Sequence, residues 1–155
     1  MKIQFKKLVI SLGLPLAVGF VSAFISGGMQ NYQDLNQPPL APPGWLFPIV
    51  WTALYLLMGY ASYLVWTADT DPGVKRRALI MYAIQLFLNF LWSPIFFGLG
   101  WYLTAFFLLL LLWLAILITM RLFSNINERA GDLILPYLLW VTFAGYLNLG
   151  VYFLN

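Results

Sequence analysis

Residues 101–123 read WYLTAFFLLLLLWLAILITMRLF, an apolar stretch whose only charged side chain is Arg121. About 20 apolar residues in a helix, at 1.5 Å per residue, cross the roughly 30 Å hydrocarbon core of a bilayer. Four further runs have the same character. The sequence therefore predicts an all-α integral membrane protein, a five-transmembrane-helix bundle. The predicted helices cover about 7–27, 44–67, 76–98, 101–123 and 132–154.

The composition agrees with a membrane protein. Of the 155 residues, 63% are hydrophobic and 8% are charged, whereas a soluble domain carries about 25% charged residues. The chain is too short for a second domain, so residues 1–155 are expected to form one unit. The first apolar run, with its Lys-rich start, also fits a signal peptide. We favour a transmembrane helix, because four more apolar runs follow and Pro15 and Gly19 suit a bundle helix.

Several functional classes are disfavoured by composition. The chain has no Cys and no His, which removes thiolate chemistry, His-based metal sites and the usual axial ligands of haem. It also removes the commonest general base. No metal site and no catalytic residue are therefore predicted. The net charge of +3 is small and spread over short segments, so it indicates topology and not a nucleic-acid partner.

The connections between the predicted helices differ in length and charge. Residues 28–43 form a long loop rich in Pro, Asn and Gln, 68–75 form a turn, and Gly98–Gly100 form a tight hairpin. Residues 124–132 form a polar link in which Asp132 is predicted to cap the last helix. All eight Lys and Arg residues lie near the N-terminus or in the second and fourth connections. Positively charged loops stay inside, so we expect a bacterial cell membrane with the N-terminus inside and the C-terminus outside.

Prolines and tryptophans meet in PPGWLFPIVWTALY, residues 42–55. The first N–H groups of a helix lack partners, so proline costs little at the start of the second helix. Trp45, at the start of this helix, is interpreted as an interfacial anchor. Trp51 lies about 9 Å deeper by helical rise and shares a face with Tyr55.

The third and fifth predicted helices carry polar side chains at the same depth. Gln85 and Asn89 are amides within the membrane, which are costly unless they face the bundle or a cavity. Aromatic, amide and small residues therefore form one layer in the outer half of the membrane, beneath the long loop. Such a layer predicts a pocket for a flat apolar ligand. The alternative is that the amides only join helices, at about 0.6 kcal/mol each. The layer comprises Trp51, Asn89, Trp92, Ala144 and Asn148, with Trp140 a little deeper.

Four ordered motifs resemble the TspO/MBR family, the tryptophan-rich sensory proteins related to the mitochondrial translocator protein. They cover about residues 32–155. The matches are the loop residues Tyr32, Leu35, Pro38, Pro42 and Pro43, the segment Trp45–Tyr55, QLFLNFLWSPIFFG at 85–98, and PYLLWVTFAGYLN at 136–148.

The resemblance implies a five-helix bundle that often forms a homodimer in the lipid bilayer and binds porphyrins, with sterols or benzodiazepine-type ligands in some members. Two departures stand out: Leu40 and Ala41 occupy positions near which the family often has tryptophan, and the segment 151–155 lacks the basic residue of the sterol motif. With Asn148 added from the layer above, the implied ligand-binding residues are Trp51, Asn89, Trp92, Trp101, Trp140, Phe143, Ala144, Leu147 and Asn148.

The leading functional hypothesis is a membrane receptor or carrier for porphyrins, with protoporphyrin or haem as ligand and no obligatory cofactor. The first alternative is an enzyme that degrades porphyrin with light and oxygen, using Trp51 and Trp140. An ion-coupled transporter is disfavoured because all five acids lie in predicted loops or links. A small assembly subunit is a further alternative, since Gly19, Ala23 and Gly27 form a small-residue seam.

Overall fold

The computed structural model describes residues 3–27, 32 and 34–155. It confirms the prediction of five helices, all long and apolar enough to cross a membrane. The third helix continues directly into a π-helical turn, Pro94–Gly98. The helices are α1 (Phe5–Ile25), α2 (Leu46–Trp66), α3 (Pro72–Ser93), α4 (Tyr102–Ile126) and α5 (Glu128–Leu154).

Helix α5 packs mainly against α4 and α2. Its Tyr137 is fully buried, as are Met58 of α2 and Ile116 of α4. Helix α1 packs on α2 and α3 at the periphery, and it leaves Phe20 and Phe24 exposed. Exposed apolar side chains on a transmembrane helix face lipid, so this exposure is consistent with a peripheral helix.

Helices α1 and α2 approach closely at two glycines. A Cβ on Gly59 would lie 2.5 Å from the carbonyl oxygen of Ser11, and a Cβ on Gly19 would clash with the ring of Tyr55. Small residues allow such close backbone contact in membranes. The predicted seam therefore serves inside the bundle at Gly19, while Gly27 lies beyond the end of α1 with a positive φ of 78°.

The two ends of the bundle differ in charge. At one end the start of α1 meets the end of α2, where the backbone N–H of Gln4 donates to the hydroxyl of Tyr63 at 2.9 Å. This end, called the basic end, includes the α2–α3 and α4–α5 links and the Lys and Arg residues in the helix turns next to them. The opposite end, called the loop end, contains the α1–α2 loop, the hairpin before α4 and the end of α5.

Two helix starts differ from the prediction because an upstream side chain caps the helix. Helix α3 begins at Pro72 and not near residue 76, since the carboxylate of Asp71 accepts from the N–H of Val74 and proline suits the first helical position. Helix α5 begins at Glu128, where Asn127 caps the first turn. The prediction that Asp132 caps α5 is wrong, because Asp132 lies inside the helix.

Candidate functional site

A cavity of about 860 Å³ lies in the half of the bundle nearer the loop end, walled by α1, α2, α3 and α5. Ligand pockets in proteins span about 300–1,000 Å³. None of the described residues that line it carries a charge. The cavity brings together seven of the nine residues predicted from the sequence: Trp51, Asn89, Trp92, Trp140, Ala144, Leu147 and Asn148.

Trp51 reaches the cavity because α2 begins at Leu46, with Pro48 in the first turn as predicted. Its ring centroid lies 5.5 Å from that of Tyr55 and 6.1 Å from that of Tyr137, the latter in an edge-to-face arrangement at 74°. Such aromatic pairs contribute about 0.5–1.5 kcal/mol each beyond burial. Trp51 is therefore held in one orientation by α2 and α5.

A chain of hydrogen bonds runs from the cavity into the core. The hydroxyl of Tyr55 donates to Oδ1 of Asn89 at 3.0 Å, and Nδ2 of Asn89 donates to the hydroxyl of Tyr137 at 2.6 Å. The Tyr137 hydroxyl in turn donates to Oε1 of Gln85 at 2.8 Å. Asn89 thus lines the cavity and joins α2, α3 and α5 at once, so the helix-joining role that was the alternative to a binding role is also present.

Asn148 orients Trp92. The indole N–H of Trp92 donates to Oδ1 of Asn148 at 3.0 Å, and Nδ2 of Asn148 donates to the backbone carbonyl of Tyr102 at 2.8 Å. Because both ends of the amide are engaged, Asn148 fixes the position of the Trp92 ring in the cavity wall. The Trp92 ring also stacks on Phe96, with centroids 4.9 Å apart and planes at 22°.

Trp140 differs from Trp92 in its hydrogen bonding. Its indole N–H is enclosed and makes no hydrogen bond to the described part of the chain. The ring is fixed instead by aromatic contacts, 5.9 Å from Phe47 and 5.6 Å from Phe143 between centroids. A buried donor without a partner is uncommon and costs free energy. Trp140 therefore lines the cavity with an indole N–H that makes no hydrogen bond to the described residues.

The π-helical turn at Pro94–Gly98 brings two further aromatic rings to the cavity. It is closed by a hydrogen bond from the N–H of Leu99 to the carbonyl of Pro94 at 2.9 Å. The wider turn places Phe96 and Phe97 side by side, with centroids 4.8 Å apart, and both line the cavity. Single π-helical turns are frequent at functional sites.

The described part of the α1–α2 loop is attached to α5. Asn36 and Asn155 exchange two hydrogen bonds, at 3.1 and 2.9 Å. The hydroxyl of Tyr146 donates to the carbonyl of Pro39 at 2.6 Å. Residues 28–31 and 33 of the predicted long loop lie outside the described residues.

Tyr32 anchors the same loop over the cavity. Its ring is buried against Phe47, with centroids 5.1 Å apart at 75°, and its hydroxyl donates to the carbonyl of Pro42 at 3.3 Å. Burial raises the pKa of the Tyr32 phenol, so the hydroxyl keeps its proton and remains a donor. The described loop thus forms an aromatic cover over the cavity.

Two residues implied by the family resemblance lie outside this cavity. Trp101 is the residue before α4, with its side chain 57% exposed, because the hairpin turns it away from the bundle. Phe143 packs against Trp140 and Tyr146. The ring of Phe143 thus lies behind Trp140 and is not among the side chains that line the cavity.

Several lining residues were not among the predicted site residues. Tyr55 shares the face of Trp51, and this spacing could have identified it. The part of α1 that lines the cavity carried no such signal, because α1 is apolar on all sides. Phe20 and the predicted anchor Trp45 line the cavity and are also mostly exposed, so it opens toward the membrane between α1 and α2. The α1 residues are Leu16, Ala17, Gly19, Phe20, Ser22 and Ala23.

Comparisons with known proteins agree with the family resemblance. A sequence model described as the TspO/MBR family matches residues 11–154. The "Tryptophan-rich protein TspO" of Chlorobaculum tepidum is 38% identical over 154 residues, 98% of each chain. "Protein CrtK" of Rhodobacter capsulatus is 38% identical, covering 88% of this chain and 85% of its own. The "Translocator protein" of Bos taurus is 38% identical, covering 87% and 82%. The chain is an integral membrane protein that belongs to the TspO/MBR family.

Proposed function

We propose that this protein is a membrane receptor or carrier that binds porphyrins in the cavity beneath the α1–α2 loop. The observation that carries the proposal is the uncharged, tryptophan-walled cavity of about 860 Å³. We further propose that the basic end faces the cytoplasm, because cytoplasmic loops are enriched in Lys and Arg. The homodimer implied by the family resemblance stays a prediction.

The lining chemistry suits a flat macrocycle. Trp51 and Trp140 offer ring faces and edges, and each aromatic contact contributes about 0.5–1.5 kcal/mol beyond the area buried. The uncharged lining cannot pair with the propionates of a porphyrin, so these groups would lie toward the loop end, where water is available, or accept hydrogen bonds from amide and loop N–H groups. Metal-free protoporphyrin is expected to bind at least as well as haem, because the chain has no His or Cys for strong axial ligation.

The test is a titration of the purified protein with metal-free protoporphyrin in the dark, followed by tryptophan fluorescence. We expect saturable quenching, and a Kd raised about fivefold in Trp51→Phe and in Trp140→Phe, which corresponds to about 1 kcal/mol. Trp101→Phe is the matched control, because it removes a tryptophan outside the cavity. Equal Kd values in all three variants, or quenching without saturation, would refute a tryptophan-walled porphyrin site.

A second candidate is light- and oxygen-dependent porphyrin degradation. It is favoured by the contact of Trp51 with Tyr55 and Tyr137, three side chains that can be oxidised. The assay is illumination of the porphyrin complex in air, with dark and oxygen-free controls, and chromatography of the pigment. A product that forms only with light and oxygen, and is lost in Trp51→Phe at saturating porphyrin, would favour the enzyme. Pigment recovered intact would favour the receptor or carrier.

A further inference from the structure

A second concave surface lies between α1, α2 and α3, in the half of the bundle nearer the basic end. It has a volume of about 450 Å³ and is lined almost entirely by apolar side chains. Ile10, Leu14 and Phe87 at its rim are about half exposed or more, so the groove is open on the outside of the bundle. From Leu79 to Phe90 it runs about 16 Å along α3, close to half of the roughly 30 Å hydrocarbon thickness. The groove therefore has the length of one leaflet.

Two lysine ammonium groups contact Trp66 at the end of the groove nearer the basic end. Trp66, a lining residue, has the Nζ of Lys7 5.1 Å from its ring centroid. The Nζ of Lys75 donates to the backbone carbonyl of the same residue at 3.0 Å. The two lysines come from α1 and α3, the helices that form the two sides of the groove. This end is thus positively charged while the groove itself is apolar.

The sequence spacing explains why these lysines belong to the groove. Lys7 precedes the lining residues Ser11 and Leu14 by four and seven positions, and Lys75 precedes Leu79 by four and Tyr82 by seven. Positions separated by four and seven residues share one face of a helix. Each lysine therefore extends the groove-lining face of its helix by one turn toward the basic end.

A buried hydroxyl lies in the floor of the groove. The side chain of Tyr82 is 5% exposed, and its hydroxyl makes no hydrogen bond of good geometry to the described residues. Ser62 lies beside it, about one turn from Trp66, but its own hydroxyl donates to the carbonyl of Gly59 at 2.7 Å. Buried hydroxyls normally find an acceptor. The Tyr82 hydroxyl therefore offers a donor about one to two helical turns deeper than the two lysines.

We propose that this groove binds an anionic glycerophospholipid. One acyl chain lies along the apolar surface, the phosphate lies between Lys7 and Lys75, and an ester carbonyl accepts from the hydroxyl of Tyr82. The order from cation to hydroxyl to apolar surface follows the order from phosphate to ester to chain in the lipid. Anionic headgroups attract nearby Lys side chains, by about 1 kcal/mol for each. The groove is separate from the proposed porphyrin cavity, so either site could bind without the other.

The test is native mass spectrometry of the full chain in detergent, with dioleoylphosphatidylglycerol and dioleoylphosphatidylcholine as probes. We expect the anionic lipid to bind about tenfold more tightly, and the double variant Lys7→Gln/Lys75→Gln to lose this preference. The control Arg121→Gln/Arg129→Gln removes two charges outside the groove and should keep the preference for the anionic lipid. Tyr82→Phe should weaken both lipids by about threefold, because both carry the ester carbonyl.

A variant that fills the groove tests its location. Ala83 lines the groove and is exposed, so Ala83→Trp should abolish binding of both lipids without disturbing the core. Equal affinity for the two lipids in the unaltered protein would overturn the proposal, as would an unchanged preference in the double lysine variant. If Ala83→Trp leaves lipid binding intact and instead changes the protein from dimer to monomer, the groove is an interface between two copies and the proposal is wrong.

Discussion

Tyr137→Phe is the substitution that tests the hydrogen-bonded chain between the cavity and the core. It removes one oxygen atom and leaves the ring, so the packing of Tyr137 against Trp51 is kept. The hydroxyl that is lost accepts from Asn89 at 2.6 Å and donates to Gln85 at 2.8 Å. Both amides are buried, so water cannot easily replace the missing partner.

The expected magnitude follows from the number of bonds lost. Hydrogen bonds between membrane helices contribute about 0.6 kcal/mol on average and about 1.7 at most. Two bonds therefore predict a loss of about 1 kcal/mol in the free energy of unfolding, with about 3 as the upper limit. Ring volume is conserved, so a cavity term does not add to this value.

Tyr82→Phe is the matched control, because Tyr82 is also buried but its hydroxyl makes no hydrogen bond of good geometry to the described part of the chain. We expect its free energy of unfolding to change by less than about 0.5 kcal/mol. The assay is unfolding by titration with sodium dodecyl sulfate, followed by circular dichroism in lipid-free detergent. If Tyr137→Phe destabilises the protein no more than Tyr82→Phe, the amide–tyrosine chain does not hold the helices together and the reasoning fails.

Three further predictions concern glycines and helix caps. Gly59→Ala places a Cβ 2.5 Å from a backbone oxygen of α1 and should destabilise the bundle by about 1–3 kcal/mol. In Gly13→Ala the added Cβ meets nothing within 4 Å, so this variant should stabilise the bundle by about 0.5–1 kcal/mol. Thermal unfolding of the two variants compares their stabilities. Asn127→Ala should cost about 1 kcal/mol by losing the cap of α5, while a similar loss in Asp132→Ala would contradict the cap assignment. Gly150→Ala brings a Cβ to 2.5 Å from Pro38 of the α1–α2 loop. The loop must then move away from α5, so porphyrin dissociation should be several-fold faster in stopped-flow fluorescence. An unchanged rate would show that the loop does not retain the ligand.

Much of the fold could be predicted from the sequence, because hydrocarbon thickness dictates helix length. The helix ends were less predictable. Asp71 and Asn127 both start a helix earlier than hydropathy indicates, since a cap depends on one side chain and apolar windows do not register it. The π-helical turn after α3 was also missed, although Pro94 disrupts the regular hydrogen-bonding pattern there.

The residues of the candidate site could likewise be predicted only in part. The number of residues from each outer helix end placed Trp51, Asn89 and Ala144 at one depth, and spacings of three or four residues identified the helix faces that carry them. Neither argument could place Trp101, which an exposed hairpin position turns away from the bundle, or Phe143, which packs behind Trp140.

The sequence by itself determined that the chain spans a membrane, with five helices and aromatic and amide side chains in one layer. Length, apolarity and periodicity are local properties, and they suffice for that conclusion. Only the tertiary structure decided which surface of the uniformly apolar α1 lines the cavity, that Asn148 holds Trp92, and that Lys7 and Lys75 meet at Trp66. Each of these contacts joins helices far apart in the chain, so it depends on how the helices rotate and pack, which no single segment encodes.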